Sequence, residues 1–119
     1  MSERSLIGAF EQLFAQRGER NVGWIGDDCA VVRSKPYCVT SVDSIVDGIH
    51  FRLDNDLVSV ADVGHKALAV ALSDLAAMAA EPGEAYISLG IPSDLSESDV
   101  LSLAASIEAL AKETGVTVA

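Results

Sequence analysis

The sequence predicts an α+β domain, layered in the manner of an α/β fold, with helices packed on a mixed sheet. Three observations predict it. Stretches with apolar residues at helical spacing begin after Ser2, Ser59 and Ser96. Short runs rich in Val and Ile, bounded by Gly, Ser and Pro, lie between and after them. Half of the 119 residues are hydrophobic, enough for one core, and the chain is too short for two domains.

Ser2 is the candidate cap of a first helix reaching about Arg17, with Leu6, Phe10, Leu13 and Phe14 on one face and Gly18 as the stop. Gly23-Trp24-Ile25-Gly26-Asp27-Asp28 reads as a glycine-flanked turn ending in two carboxylates. Residues 29–33 and 37–42, separated by Ser34-Lys35-Pro36, read as a hairpin of strands. Residues 43–56 are irregular. The longest helix is expected from about Val60 to Ala80. Ser59 and Asp62 form its capping pair, and Glu81-Pro82-Gly83 ends it. Residues 85–91 read as a strand ending at Pro92. Ser96 and Asp99 open the last helix, with Val100, Leu103, Ala104, Ile107 and Ala111 on its apolar face and Gly115 as its end. Residues 116–118 begin a final strand. The order is helix, two strands, helix, strand, helix, strand, a helix-on-sheet arrangement in one domain, 1–119. The last strand stops within three residues of its start, so the chain is expected to be the N-terminal part of a longer protein.

Eighteen acidic residues against eight basic ones give a net charge of -10. That sign argues against nucleic acid or an anionic membrane surface as partner. It leaves room for anionic small ligands if cations bridge them to carboxylates. Cys29 and Cys38 lack a CxxC arrangement and are expected to be buried small hydrophobes in a reducing compartment. No basic segment leads into a long apolar run at the N-terminus, and Ser73 and Asp74 interrupt the longest apolar stretch, 67–80. A cytoplasmic location is expected.

Three carboxylates sit where carboxylates are costly. Asp74 lies within the apolar run, with Val70, Ala71, Ala77 and Met78 three and four positions away. It is expected to face the core unless a cation compensates it. Asp43 continues the alternation Val39, Ser41, Asp43, a face that turns from apolar to polar. Asp28 stands beside Asp27 ahead of the first strand. Converging carboxylates would repel one another, and hard divalent cations are the usual remedy. The alternative is a solvated turn at Asp27-Asp28 and an Asp74 that bonds a backbone group. His50, between Gly48 and Arg52, reads either as a phosphate contact or as a loop histidine with a backbone partner. His65 reads as structural or solvent-facing. No phosphate-binding glycine loop or nucleophile with a partnered base is visible.

Three segments resemble a known family. Gly26-Asp27-Asp28-Cys29-Ala30-Val31-Val32 resembles a GDD-(A/C)-A-V opening. Residues 41–51, Ser41-Val42-Asp43-Ser44-Ile45-Val46-Asp47-Gly48-Ile49-His50-Phe51, resemble (S/T)-T-D-(T/S)-L-V-E-G-x-H-F. Residues 66–82 resemble K-A-L-A-V-N-L-S-D-L-A-A-M-G-A-x-P. In this order they resemble the thiamine-monophosphate kinases, within the superfamily of aminoimidazole ribonucleotide synthetase.

The resemblance implies a synthetase-like N-terminal domain that pairs sheet to sheet in a homodimer. It implies ATP and several Mg²⁺, and transfer of the γ-phosphoryl of ATP to thiamine monophosphate without a covalent enzyme intermediate. It implies metal contacts at Asp28, Asp43, Asp74, Ser41 and Val42, with Asp27 a further candidate, and a thiamine-phosphate contact at His50. It implies no catalytic side chain among these residues. Val42 stands where the family has Thr, Ala71 where it has Asn, and Ala79 where it has Gly. The family's later Gly-Gly-Asp-Thr segment and C-terminal domain lie beyond Ala119, so residues 1–119 alone are expected to be inactive. Two other functions are open: another ATP-using enzyme of the superfamily, or a non-catalytic metal-binding and dimerisation module.

Overall fold

A computed structural model describes residues 2–26 and 28–119. Its elements are α1 (Glu3–Leu13), β1 (Asn21–Gly23), β2 (Val31–Val32), α2 (Val60–Ala77), β3 (Glu84–Ala85), α3 (Glu97–Thr114) and β4 (Thr117–Val118). The α+β class is as expected. The sheet content of the described residues falls into two separate ladders, β1 antiparallel to β2 and β3 parallel to β4.

Each helix starts at the serine that the sequence marks. Ser2, Ser59 and Ser96 each accept a bond from the backbone N–H three residues on, and that third residue bonds back. The reciprocal bonds hold the Asp62 carboxyl below its usual range, chiefly through the Ser59 backbone N–H, and the Asp99 carboxyl chiefly through the Ser96 hydroxyl.

The core forms where α1, α2 and β4 meet α3. Phe14, Leu68, Ala104, Ile107, Ala111, Val116 and Val118 are its buried members. Helices α2 and α3 approach closely at Gly64. A Cβ on that residue would stand 2.3 Å from the Leu103 carbonyl oxygen, a backbone atom that cannot swing aside. The Ser106 hydroxyl donates to the Ala61 carbonyl at 2.6 Å across the same crossing. Thr117 is fully buried on β4 and bonds Arg17 reciprocally. Its hydroxyl accepts from the Arg17 N–H at 2.7 Å and donates to the Arg17 carbonyl at 2.9 Å.

Several expectations need correction. Helix α1 stops at Leu13, not Arg17, because Phe14 turns extended and buries its ring while the Arg17 backbone goes to Thr117. The partner of β2 is β1, so 29–33 and 37–42 do not form a hairpin, and residues 33–40 are exposed. The strand expected over 85–91 is confined to β3: the bonds from β4 and Ala119 reach only the Gly83 carbonyl, at 3.0 Å, and the Ala85 carbonyl, at 2.9 Å. Cys29 and Cys38 are exposed free thiols rather than core residues; Cys38 belongs to the unpaired 33–40 segment.

Helix α2 ends at Ala77, three residues early. Ala79 adopts φ 53°, the Ala79 N–H bonds the Ala76 carbonyl at 3.0 Å, and the Ala80 N–H bonds the Leu75 carbonyl at 3.0 Å. This is the Schellman pattern, which ordinarily places glycine at the left-handed position. Helix α3 ends with glycine there: Gly115 has φ 78°, and the Val116 N–H reaches the Ala111 carbonyl at 2.9 Å.

Candidate functional site

The extended segment after β2 lies against α2. Together with the 80–87 region they enclose a cleft of about 440 Å³. Its apolar wall is Ala67, Leu68, Ala71, Leu72 and Leu75; Val39, Ser41, Val42 and Asp43 come from the facing segment. The alternation read from the sequence does not sort this segment into two faces: residues 37–43 form no strand, and all of them, Thr40 and Val42 included, line the cleft. Ala71, the position of the family's usual Asn, leaves this stretch of wall apolar.

Two predicted site residues are brought into direct contact. The Ser41 hydroxyl donates to Asp74 Oδ2 at 2.6 Å. Asp74 is exposed, not facing the core, because burial on α2 is concentrated at Val63, Gly64 and Leu68 and its last turns are open. Asp43 is exposed and lines the same cleft. The Val42 side chain is a hydrocarbon without a donor atom, so only its backbone carbonyl is suited to a cation. Asp28 is exposed between β1 and β2, outside the lining of this cleft. Asp27 lies outside the described residues. No group of three His, Cys, Asp or Glu side chains able to hold a metal occurs among the described residues.

His50 sits on a turn closed around Gly48, whose φ is 79°. The Gly48 N–H bonds the Phe51 carbonyl at 2.8 Å, and Asp47 Oδ1 accepts from the Gly48 N–H at 2.9 Å and the Leu53 N–H at 3.2 Å. The Val46 N–H donates to His50 Nδ1 at 3.0 Å, which leaves the ring proton on Nε2. Both readings of His50 are therefore compatible: the ring has a backbone partner on one nitrogen and a donor on the other. His65 is solvent-exposed.

Sequence reasoning missed two groups near the site. Lys66 on α2 donates to the His50 carbonyl at 2.6 Å. Its spacing of eight residues from Asp74, a little over two turns, was the available signal. Arg20 and Glu84 line the cleft as an ion pair; the Arg20 guanidinium holds the Glu84 carboxyl below its usual range, with burial opposing. No spacing rule links residues so far apart in the chain.

Ser41 and Asp43 on the cleft lining and Asp74, bonded to Ser41 beside it, offer oxygen donors, which suits a hard divalent cation. Magnesium commonly takes one or two carboxylates and leaves its other positions to water and substrate phosphate. The Asp43 and Asp74 carboxylates with the Ser41 hydroxyl fit that pattern without a complete protein cage.

Comparison with known proteins identifies the family. Residues 26–119 match the family model described as AIR synthase related protein, N-terminal domain. The chain is 36% identical over 114 residues to a thiamine-monophosphate kinase of Bacillus subtilis (strain 168), covering 94% of this chain and 34% of that relative. It is 43% identical over 93 residues to a thiamine-monophosphate kinase of Escherichia coli (strain K12), covering 76% of this chain and 27% of the relative. The crystal structure of a thiamine-monophosphate kinase from Stenotrophomonas maltophilia K279a superposes with a TM-score of 0.75 at 29% identity, over 96% of this chain and 34% of that one. The chain thus spans about a third of the length of these relatives. The match over residues 26–119 and the identity to these relatives show that the chain belongs to the AIR synthase related family, as an N-terminal domain.

Proposed function

We propose that this chain supplies the N-terminal, metal-binding and acceptor-binding part of a thiamine-monophosphate kinase. The whole protein would transfer the γ-phosphoryl of ATP to thiamine monophosphate in the cytoplasm. The observation that carries the reading is the Ser41–Asp74 bond beside Asp43, in a chain 36–43% identical to kinases of that name.

Asp43 and Asp74 would hold Mg²⁺, with Ser41 and the Val42 carbonyl as further oxygen contacts and Asp28 as a ligand reached through another ion or phosphate. Bound magnesium supplies neutralisation of phosphate charge and polarisation of the phosphoryl oxygens. The chain's own residues position and bind. Ser41 aims the Asp74 carboxylate by donating to one oxygen and leaving the other for a cation. His50 directs its Nε2–H to the acceptor's phosphate. The apolar wall of α2 excludes water from one side of the cleft. No side chain here acts as a nucleophile, in keeping with direct transfer between phosphates.

Homodimer formation is part of the same reading. Tyr37 is 91% exposed and Val42 is also largely exposed on the extended segment after β2, which offers backbone groups to a second copy, and Ile49 is exposed on the neighbouring turn.

The test is a coupled assay on the full-length protein. ATP-dependent thiamine diphosphate formation is expected, with no product from residues 1–119 alone. Turnover of a different acceptor with none of thiamine monophosphate would overturn the reading.

A further inference from the structure

We propose that Lys66 is a positioning residue for the acceptor site, acting through His50. This rests on the proposed role of His50 as the acceptor-phosphate contact. The turn that carries His50 is closed on itself by the Gly48–Phe51 bond and the Asp47 carboxylate, but its residues 46–50 are exposed and receive little packing. Lys66 ties that turn to α2, with its Nζ donating to the His50 carbonyl at 2.6 Å. The anchor is rigid at that point, because Val63 and Gly64 are buried against α3 within one turn of Lys66. The same residue therefore has its carbonyl fixed by Lys66 and its Nδ1 fixed by the Val46 N–H. With the backbone held at the carbonyl and the ring held at Nδ1, both side-chain torsions of His50 are restrained, and with them the direction of Nε2–H. A donor aimed in advance lowers the ordering cost of binding a phosphate. The ammonium also brings positive charge to the turn of a chain whose net charge is -10.

Steady-state kinetics of the full-length protein test this, with thiamine monophosphate varied at saturating ATP. Lys66→Met is expected to raise KM for thiamine monophosphate about 3–10-fold, the net range of one ordinary hydrogen bond, since solvent at this exposed turn screens the ammonium's charge. KM for ATP should stay within about twofold, and Lys66→Arg, which keeps a donor of similar reach, should recover the acceptor KM to within about twofold. In a His50→Ala background, Lys66→Met should add less than about twofold, since its effect passes through that residue. An acceptor KM unchanged by Lys66→Met but raised by His50→Ala would overturn the positioning role. So would effects of the two substitutions that multiply, because Lys66 would then act on the ligand directly. His50→Ala with unchanged acceptor KM would instead overturn the underlying contact. Thermal melting checks the fold of each variant, and Lys66→Gln replaces Lys66→Met should the latter not fold.

Discussion

The Ser41 hydroxyl donates to the Asp74 carboxylate at 2.6 Å, joining the extended segment after β2 to the last turns of α2. The bond links two residues thirty-three positions apart and orders one wall of the cleft against the other. Ser41→Ala leaves Asp74 in place but frees its rotamer. The Mg²⁺ concentration giving half-maximal activity of the full-length protein is expected to rise on the order of 10-fold, the lower end for loss of an orienting partner of a metal ligand. A magnesium titration of activity reads this directly.

Gly64→Ala is expected to destabilise the fold by about 2–3 kcal/mol through overpacking. The new Cβ would meet the Leu103 carbonyl oxygen at 2.3 Å, and α2 would have to move away from α3. Urea unfolding followed by circular dichroism checks it, with a lower midpoint at unchanged slope.

Ala79→Gly is expected to stabilise by about 0.5–1 kcal/mol. Relief of the left-handed strain at φ 53° exceeds the extra unfolded-state entropy of glycine. The comparison with Gly115 in the same capping pattern on α3 is the reason for expecting that sign. Thermal melting measures it.

Thr117→Val removes both bonds to the Arg17 backbone and leaves a partly buried N–H and carbonyl unpaired. A loss of about 2–4 kcal/mol is expected from two orphaned backbone groups. Faster hydrogen exchange at the Arg17 amide would accompany it.

Glu84 gives the fold an acid-sensitive contact. The bond from Arg20 lowers the folded-state carboxyl from its ordinary value of 4.5, while in the unfolded chain the ordinary value applies. The contribution is complete above the unfolded value and is lost as pH falls through the folded one. Glu84→Gln is expected to cost about 1–3 kcal/mol at neutral pH, for a pair that is mostly buried, and to flatten the loss of stability below about pH 5. Denaturant midpoints measured across that range report both effects.

Local signals were legible in the sequence where the determinant is itself local. Ser59 with Asp62 and Ser96 with Asp99 mark helix starts because the bonds close within three residues. Gly115 marks an end for the same reason. The α1 boundary was hidden because Phe14 and Arg17 obey contacts with β4, about a hundred residues away. Pairing was hidden likewise: Asn21-Val22-Gly23 has no β-branched alternation, yet it supplies the partner of β2. Of the site, the residue types were readable; the 39–43 alternation was not a guide, because that segment forms no strand and lines the cleft along its whole length. The family motifs identified His50 and Asp74, but neither spacing nor motif disclosed that Ser41 touches Asp74 or that Lys66 reaches His50.

The most direct measurement is activity against Mg²⁺ concentration for the full-length protein carrying Asp74→Asn. The exposed position predicts an unchanged melting temperature, and the loss of a ligand oxygen's charge predicts a magnesium requirement raised on the order of 100-fold. A variant that makes thiamine diphosphate at the wild-type magnesium midpoint would show that the Ser41–Asp74 end of the cleft does not hold the cation.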